Sequence, residues 1–219
     1  MKIIRLSGVI VALHLMALPV YAGEPSDVVK SVLDRAYALV TDTDLRRPDK
    51  VKERAMRLRE LSLSFWDVDE TGRLALGKHW EQRTSAEQKE YLDLFKVIAE
   101  RGATPNPDQG GEWAKFAMDG EKVDEESAEV YAHFITRVAR DIAMTYRLRR
   151  TNGAWKLYDW GSFGRSFIAN YREQYNRIIV NSSFEGLLKA LRQKRELIEK
   201  RIAAGDPLLV SPFAWMDSK

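Results

Sequence analysis

Cysteine is absent from all 219 residues. That excludes disulfide staples, thiolate nucleophiles and cysteine metal sites, so the fold must rest on its apolar core. Histidine is nearly absent: His14, His79 and His133 stand far apart, and no H-x-x-x-H spacing offers convergent metal ligands. No P-loop and no G-x-G-x-x-G occurs. Gly161-Ser162-Phe163-Gly164 lacks the residue order of a nucleophile elbow. An excess of one charge is also missing, with 35 Lys and Arg against 32 Asp and Glu. Nucleic acid is therefore not an expected partner, because phosphate binding needs a concentrated basic surface. No cofactor or metal is implied by any of these patterns.

Long apolar runs are missing as well. Leu6–Leu18 is the nearest approach, and it is interrupted by Ser7, Gly8 and His14. It follows Lys2 and Arg5 and precedes Val20-Tyr21-Ala22, which places a small residue at a cleavage position. Residues 1–22 thus read as a cleavable secretory signal peptide rather than a membrane span, and the product is expected in the periplasm. With no Cys to follow the run, a lipoprotein anchor is not expected. Residues 23–205 are long enough for one domain with a real core, and residues 206–219 read as a C-terminal tail carrying Phe213 and Trp215.

What the chain does have is periodicity. Ser26 precedes a helical stripe of Val28, Val29, Val32, Leu33, Ala36 and Tyr37. Pro48 opens a helix to about Phe65, and a short helix lies between Trp66 and Gly77. Thr84 and Glu87 form a capping box for a helix to about Glu100. Arg101–Gly111 is rich in Gly and Pro and reads as a loop dividing a helical half from a strand-rich half. Strands are expected near residues 112–118 and 126–137. Ala143–Arg149 alternates, with Met144, Tyr146 and Leu148 on one side and Thr145, Arg147 and Arg149 on the other. Asn152-Gly153 signals a tight turn into a strand over Ala154–Asp159. After Gly161 and Gly164 the period becomes helical through Phe167, Tyr171, Tyr175 and Ile178. A final helix begins after Ser182-Ser183, and Gly205-Asp206-Pro207 ends it. The order predicts an α+β fold, a four-stranded antiparallel sheet with helices on one face.

Trp155, Tyr158 and Asp159, then Gly164 and Ser166, then Asn170-Tyr171-Arg172 form a run that resembles the MlaC (toluene-tolerance) family of periplasmic lipid carriers. Leu76-Gly77-Lys78-His79-Trp80, Thr84–Gln88, Tyr91 and Phe95 are similar to the family's L-G-x-x-W helix pair, and Gly186–Leu191 to its last helix. The resemblance implies a strongly twisted sheet wrapped by helices around a deep apolar cavity. It implies that Met118, Phe134, Met144, Tyr146, Leu148, Leu157, Phe163, Phe167, Ile168 and Tyr171 face acyl chains. The implied activity is shuttling of phospholipids between outer and inner membranes. The implied partners are an inner-membrane ABC transporter complex and an outer-membrane lipoprotein–porin complex.

Where the family usually has an acidic residue before the glycine and an aliphatic one after it, this chain has Phe163 and Arg165. Phe163 is expected to enlarge the apolar lining. Arg165 is either a headgroup-phosphate contact at the cavity mouth or a solvated arginine. By pattern alone the aromatic and methionine stripes also fit an ordinary closed core. Three other readings stay open: a carrier of another apolar lipid such as a hopanoid, an adaptor without ligand, and an enzyme using Asp159 and Tyr146 as acid and base. A carrier needs no sharp motif. At about 0.8 kcal/mol per buried methylene, an acyl chain of about fifteen carbons gains on the order of 12 kcal/mol with no polar contact.

Overall fold

The structure is a computed structural model, and it describes residues 24–103, 113–136 and 141–204. The expected signal peptide, most of the Gly/Pro-rich loop and the expected tail lie outside these residues. Six helices and five strands follow in the order α1 (Pro25–Thr41), α2 (Val51–Phe65), α3 (Val68–Leu76), α4 (Ser85–Ala103), β1 (Trp113–Val123), β2 (Ser127–Thr136), β3 (Asp141–Thr151), β4 (Ala154–Ser162), β5 (Arg165–Ser166), α5 (Phe167–Asn181) and α6 (Phe184–Ala203).

Helix starts follow local chemistry. Pro25 occupies the first turn of α1, and Pro48 opens a short 3-10 turn that runs into α2. Asp67 caps α3 by accepting from the Glu70 N–H at 3.1 Å. The capping box forms as its sequence predicts: Thr84 Oγ1 accepts from the Glu87 N–H at 3.3 Å, and Glu87 accepts from the Thr84 N–H at 2.8 Å. Ser166 and Ser183 cap α5 and α6 through the N–H groups of Ala169 and Gly186, both at 3.0 Å. Helix α4 runs to Ala103, three residues into the segment read as loop.

The strands form an open antiparallel meander in sequence order. Four of them are long, and the fifth is a two-residue addition the sequence does not announce. Strand β4 also continues three residues past Asp159, to Ser162. Gly161 makes this possible. It pairs with Ser166, and a Cβ there would come within 2.0 Å of the Arg165 carbonyl oxygen, so only glycine permits so close a return of the chain.

Two apolar clusters share the interior. One is helical, built from Ala75 and Leu76 of α3, Tyr91, Leu94 and Phe95 of α4, Tyr171 and Tyr175 of α5, and Leu187 and Leu191 of α6. The other lies on the sheet, where Val28 and Val29 of α1 and Phe65 of α2 cover Ala128, Val130, Leu148 and Leu157. Trp66, Trp160 and Phe167 meet between them. Trp160 stacks on Phe167 at 4.0 Å, and Trp66 meets Trp160 edge-on at 5.1 Å. The α2–α3 junction is tied to β4 as well: Thr71 Oγ1 donates to the Tyr158 carbonyl at 2.6 Å, and the Asp67 N–H donates to the Leu157 carbonyl at 2.7 Å.

Candidate functional site

The inner face of the sheet follows from register. On β2 and β3, Ala128 pairs with Leu148, Val130 with Tyr146, Ala132 with Met144 and Phe134 with Ile142. Strand β1 adds Phe116 opposite Phe134 and Met118 opposite Ala132. Strand β4 adds Trp160 opposite Tyr146 and Leu157 opposite Leu148. Side chains alternate along a strand, so these pairs form one continuous apolar surface.

That surface is not equally covered along its length. At one end Val130 and Leu148 are wholly buried beneath α1 and the end of α2. Toward the other end Phe116, Met118, Ile142, Met144 and Trp160 are only half-buried, as are Val32 and Leu33 of α1. The apolar face therefore runs from sealed core to a half-open stretch in which buried Ala132 and Phe134 sit among half-buried neighbours. Burial pushes the Tyr146 phenol far above its ordinary range and keeps it neutral, whereas Glu121, opposite Val130, brings a carboxylate to the sealed end, where it accepts from the Ser26 N–H of α1 at 2.8 Å.

Of the residues read from sequence as acyl-facing, six share this face: Met118, Phe134, Met144, Tyr146, Leu148 and Leu157. Four do not. Phe167 and Tyr171 belong to the helical cluster, because α5 turns them toward α3 and α4, and Ile168 is buried but joins neither cluster. Phe167 meets the sheet where it stacks on Trp160. Phe163 lines nothing; it is 72% exposed in a turn with φ +50°. Arg165, on β5, is exposed. Sequence reasoning missed Ile142, Trp160, Val32 and Leu33 as members of the half-open end. Ile142 is in phase with Met144 and could have been found by extending the alternation one step back. Trp160 could not, because a register irregularity between Arg147 and Leu148 shifts β4 by one residue.

The same irregularity separates the two groups considered as acid and base. Asp159 pairs with Arg147, so it lies on the opposite side of the sheet from Tyr146. Its carboxylate accepts from Ser166 Oγ at 2.7 Å, the Ile168 N–H at 3.0 Å and Arg147 Nη1 at 3.0 Å. Asp159 thus locks β4, β5 and the start of α5 together. Trp155 is buried with the Arg150 guanidinium 4.8 Å from its ring centre. His133 Nδ1 lies 2.6 Å from Asp119 Oδ1, and His79 Nε2 lies 3.0 Å from Asn176 Oδ1. Among the described residues no three His, Cys, Asp or Glu side chains converge as metal ligands.

Fold and site together define an open-sheet α+β protein whose inner face is largely apolar and half-buried at one end, with helices packed against it. The sequence matches the MlaC protein family over residues 30–193, and the chain belongs to that family. Among solved structures, a phospholipid-binding protein from Ralstonia solanacearum, determined in complex with a phospholipid, superimposes with a TM-score of 0.68. The alignment covers 81% of this chain and 99% of that one at 20% identity, a likeness of fold. A putative NTF2-like transpeptidase from Campylobacter jejuni aligns over 62% of this chain and 97% of that chain at 11% identity, with a TM-score of 0.30. No curated protein matches the sequence.

Proposed function

We propose that this protein is a periplasmic phospholipid carrier that holds acyl chains against the half-open end of the sheet face. The observation that carries the reading is the gradient on that face, from buried Val130 and Leu148 to half-buried Met118, Ile142 and Met144, in a member of the MlaC family. Its fold neighbour from Ralstonia solanacearum binds a phospholipid, which supports the same ligand class here. Dispersion and loss of hydrated apolar area hold the chains. Methionines 118 and 144 suit a wall that must fit chains of differing shape. The headgroup stays near water, where Arg165 meets its phosphate through a charge-assisted contact.

In this reading the leader at residues 1–22 exports the chain. The carrier then exchanges lipid with an inner-membrane ABC transporter complex and an outer-membrane lipoprotein–porin complex, as the substrate-binding component of that system. No bond is made or broken in the cycle. The test is transfer of a fluorescent phospholipid from donor to acceptor vesicles. Added protein should raise the transfer rate in proportion to its concentration, and a rate independent of protein would contradict the proposal.

A further inference from the structure

Two turns of this chain share one backbone geometry and differ in one residue. Asn152-Gly153, between β3 and β4, has φ values of +52° and +77°. Phe163-Gly164, between β4 and β5, has φ values of +50° and +74°. Left-handed φ at the first position suits Asn and disfavours a bulky side chain. Phenylalanine at residue 163 is thus held in a conformation it resists, and it gains nothing from packing: it is 72% exposed and joins neither apolar cluster.

Its position gives the misfit a meaning. Ser162 pairs with Met144 on one side and with Arg165 on the other. At one strand spacing per step, Arg165 stands about 10 Å from Met144 across the sheet. The aromatic tip therefore borders the half-open end of the apolar face, whereas the Asn152-Gly153 turn lies at the other end of β4. An exposed arginine follows the aromatic within two residues.

We propose that the Phe163-Gly164 turn is a membrane-contact tip, in which Phe163 enters the headgroup–acyl boundary of an anionic bilayer and Arg165 meets lipid phosphates beside it. The occupant is a lipid surface rather than a protein because the feature is small. A standard protein interface covers on the order of 800 Å² on each partner. A weak interfacial anchor needs only an apolar side chain and neighbouring positive charge. Weak attachment also suits a molecule that must leave the surface with its cargo. The inference rests on the carrier reading for its purpose, but its test does not.

The experiment is co-flotation of the isolated protein with vesicles of phosphatidylethanolamine and phosphatidylglycerol. Phe163→Asn copies the residue of the sister turn. It should raise the melting midpoint by about 2–4 °C, the shift expected when a strained turn is relaxed in a domain of this size. It should also lower the vesicle-bound fraction several-fold. Phe163→Trp should retain binding, and Arg165→Gln should remove most of its salt dependence. Equal flotation of wild type and Phe163→Asn would overturn the proposal and leave the turn to a protein partner, as would a wild type that does not float. Lipid retained by Phe163→Asn in native mass spectrometry would show that a lost membrane contact is not a lost cargo site. If neither protein holds lipid, the carrier reading fails while the flotation result still stands.

Discussion

At the scale of single residues, electrostatics on the outer side of the sheet set what can be tested most sharply. Asp159 accepts three hydrogen bonds from a hydroxyl, a backbone N–H and a guanidinium. Asp159→Asn should lower the unfolding free energy by about 1–2 kcal/mol and Asp159→Ala by about 3 kcal/mol, measured in urea, because the freed Ile168 N–H is buried. Glu70 offers a pH test. Burial alone would raise its carboxyl, but hydrogen bonds and charge from Arg73 and Arg149 outweigh that and hold it below its ordinary 4.5. A carboxyl with a lowered folded pKa adds stability that is present above the unfolded value and lost as pH falls through the folded one. Glu70→Gln should therefore be less stable than wild type at pH 7. The gap should narrow as pH falls out of the ordinary carboxyl range and through the lowered folded value. A gap of constant size across pH 3–7 would remove Glu70 from the acid limb. Neither role could be read from sequence in full. Asp159 stands near a glycine corner, which suggests bonds to backbone, but Arg147 and Ser166 reach it only through strand register.

At the scale of elements, local chemistry was legible and register was not. The capping box at Thr84 and Glu87, the helix start after Ser183, the Asn152-Gly153 turn and the alternation of β3 follow from neighbours a few residues apart. The fifth strand and the shift in β4 depend on which backbone groups meet across the sheet, and no short-range pattern carries that. Plain alternation would put Asp159 beside Leu157 on the inner face; the irregularity moves it out and brings Trp160 in. Strand β3 then supplies a paired prediction. Met144 is half-buried at the open end and Leu148 is fully buried at the sealed end. Met144→Asp should fold and lose co-purified lipid, since its carboxylate can reach water in the empty protein but opposes acyl chains. Leu148→Asp should fail to fold, because an unpaired charge there has no access to solvent. Circular dichroism and lipid extraction read both. Unfolding of Met144→Asp would mean that this end is closed core.

At the scale of the whole molecule, the fold class was legible from the order of periodic segments, but the division of the interior was not. Phe167, Ile168 and Tyr171 follow the strands closely in sequence, so their apolar stripe reads as a continuation of the sheet's lining. In three dimensions α5 packs against α3, and Phe167 and Tyr171 complete a helical core. Trp66, Trp160 and Phe167 mark the boundary. The result is a helical core beside a sheet that is sealed at one end and half-open at the other. A closed core would exclude ligand along the whole face, whereas a carrier needs this asymmetry. Native mass spectrometry of the protein isolated from cells, with dissociation of any bound species, tests that claim most directly. The account predicts a mass increment that dissociates as an intact two-chain phospholipid, lost in Met144→Asp; an unliganded wild type, or an increment from a polycyclic lipid, would contradict it.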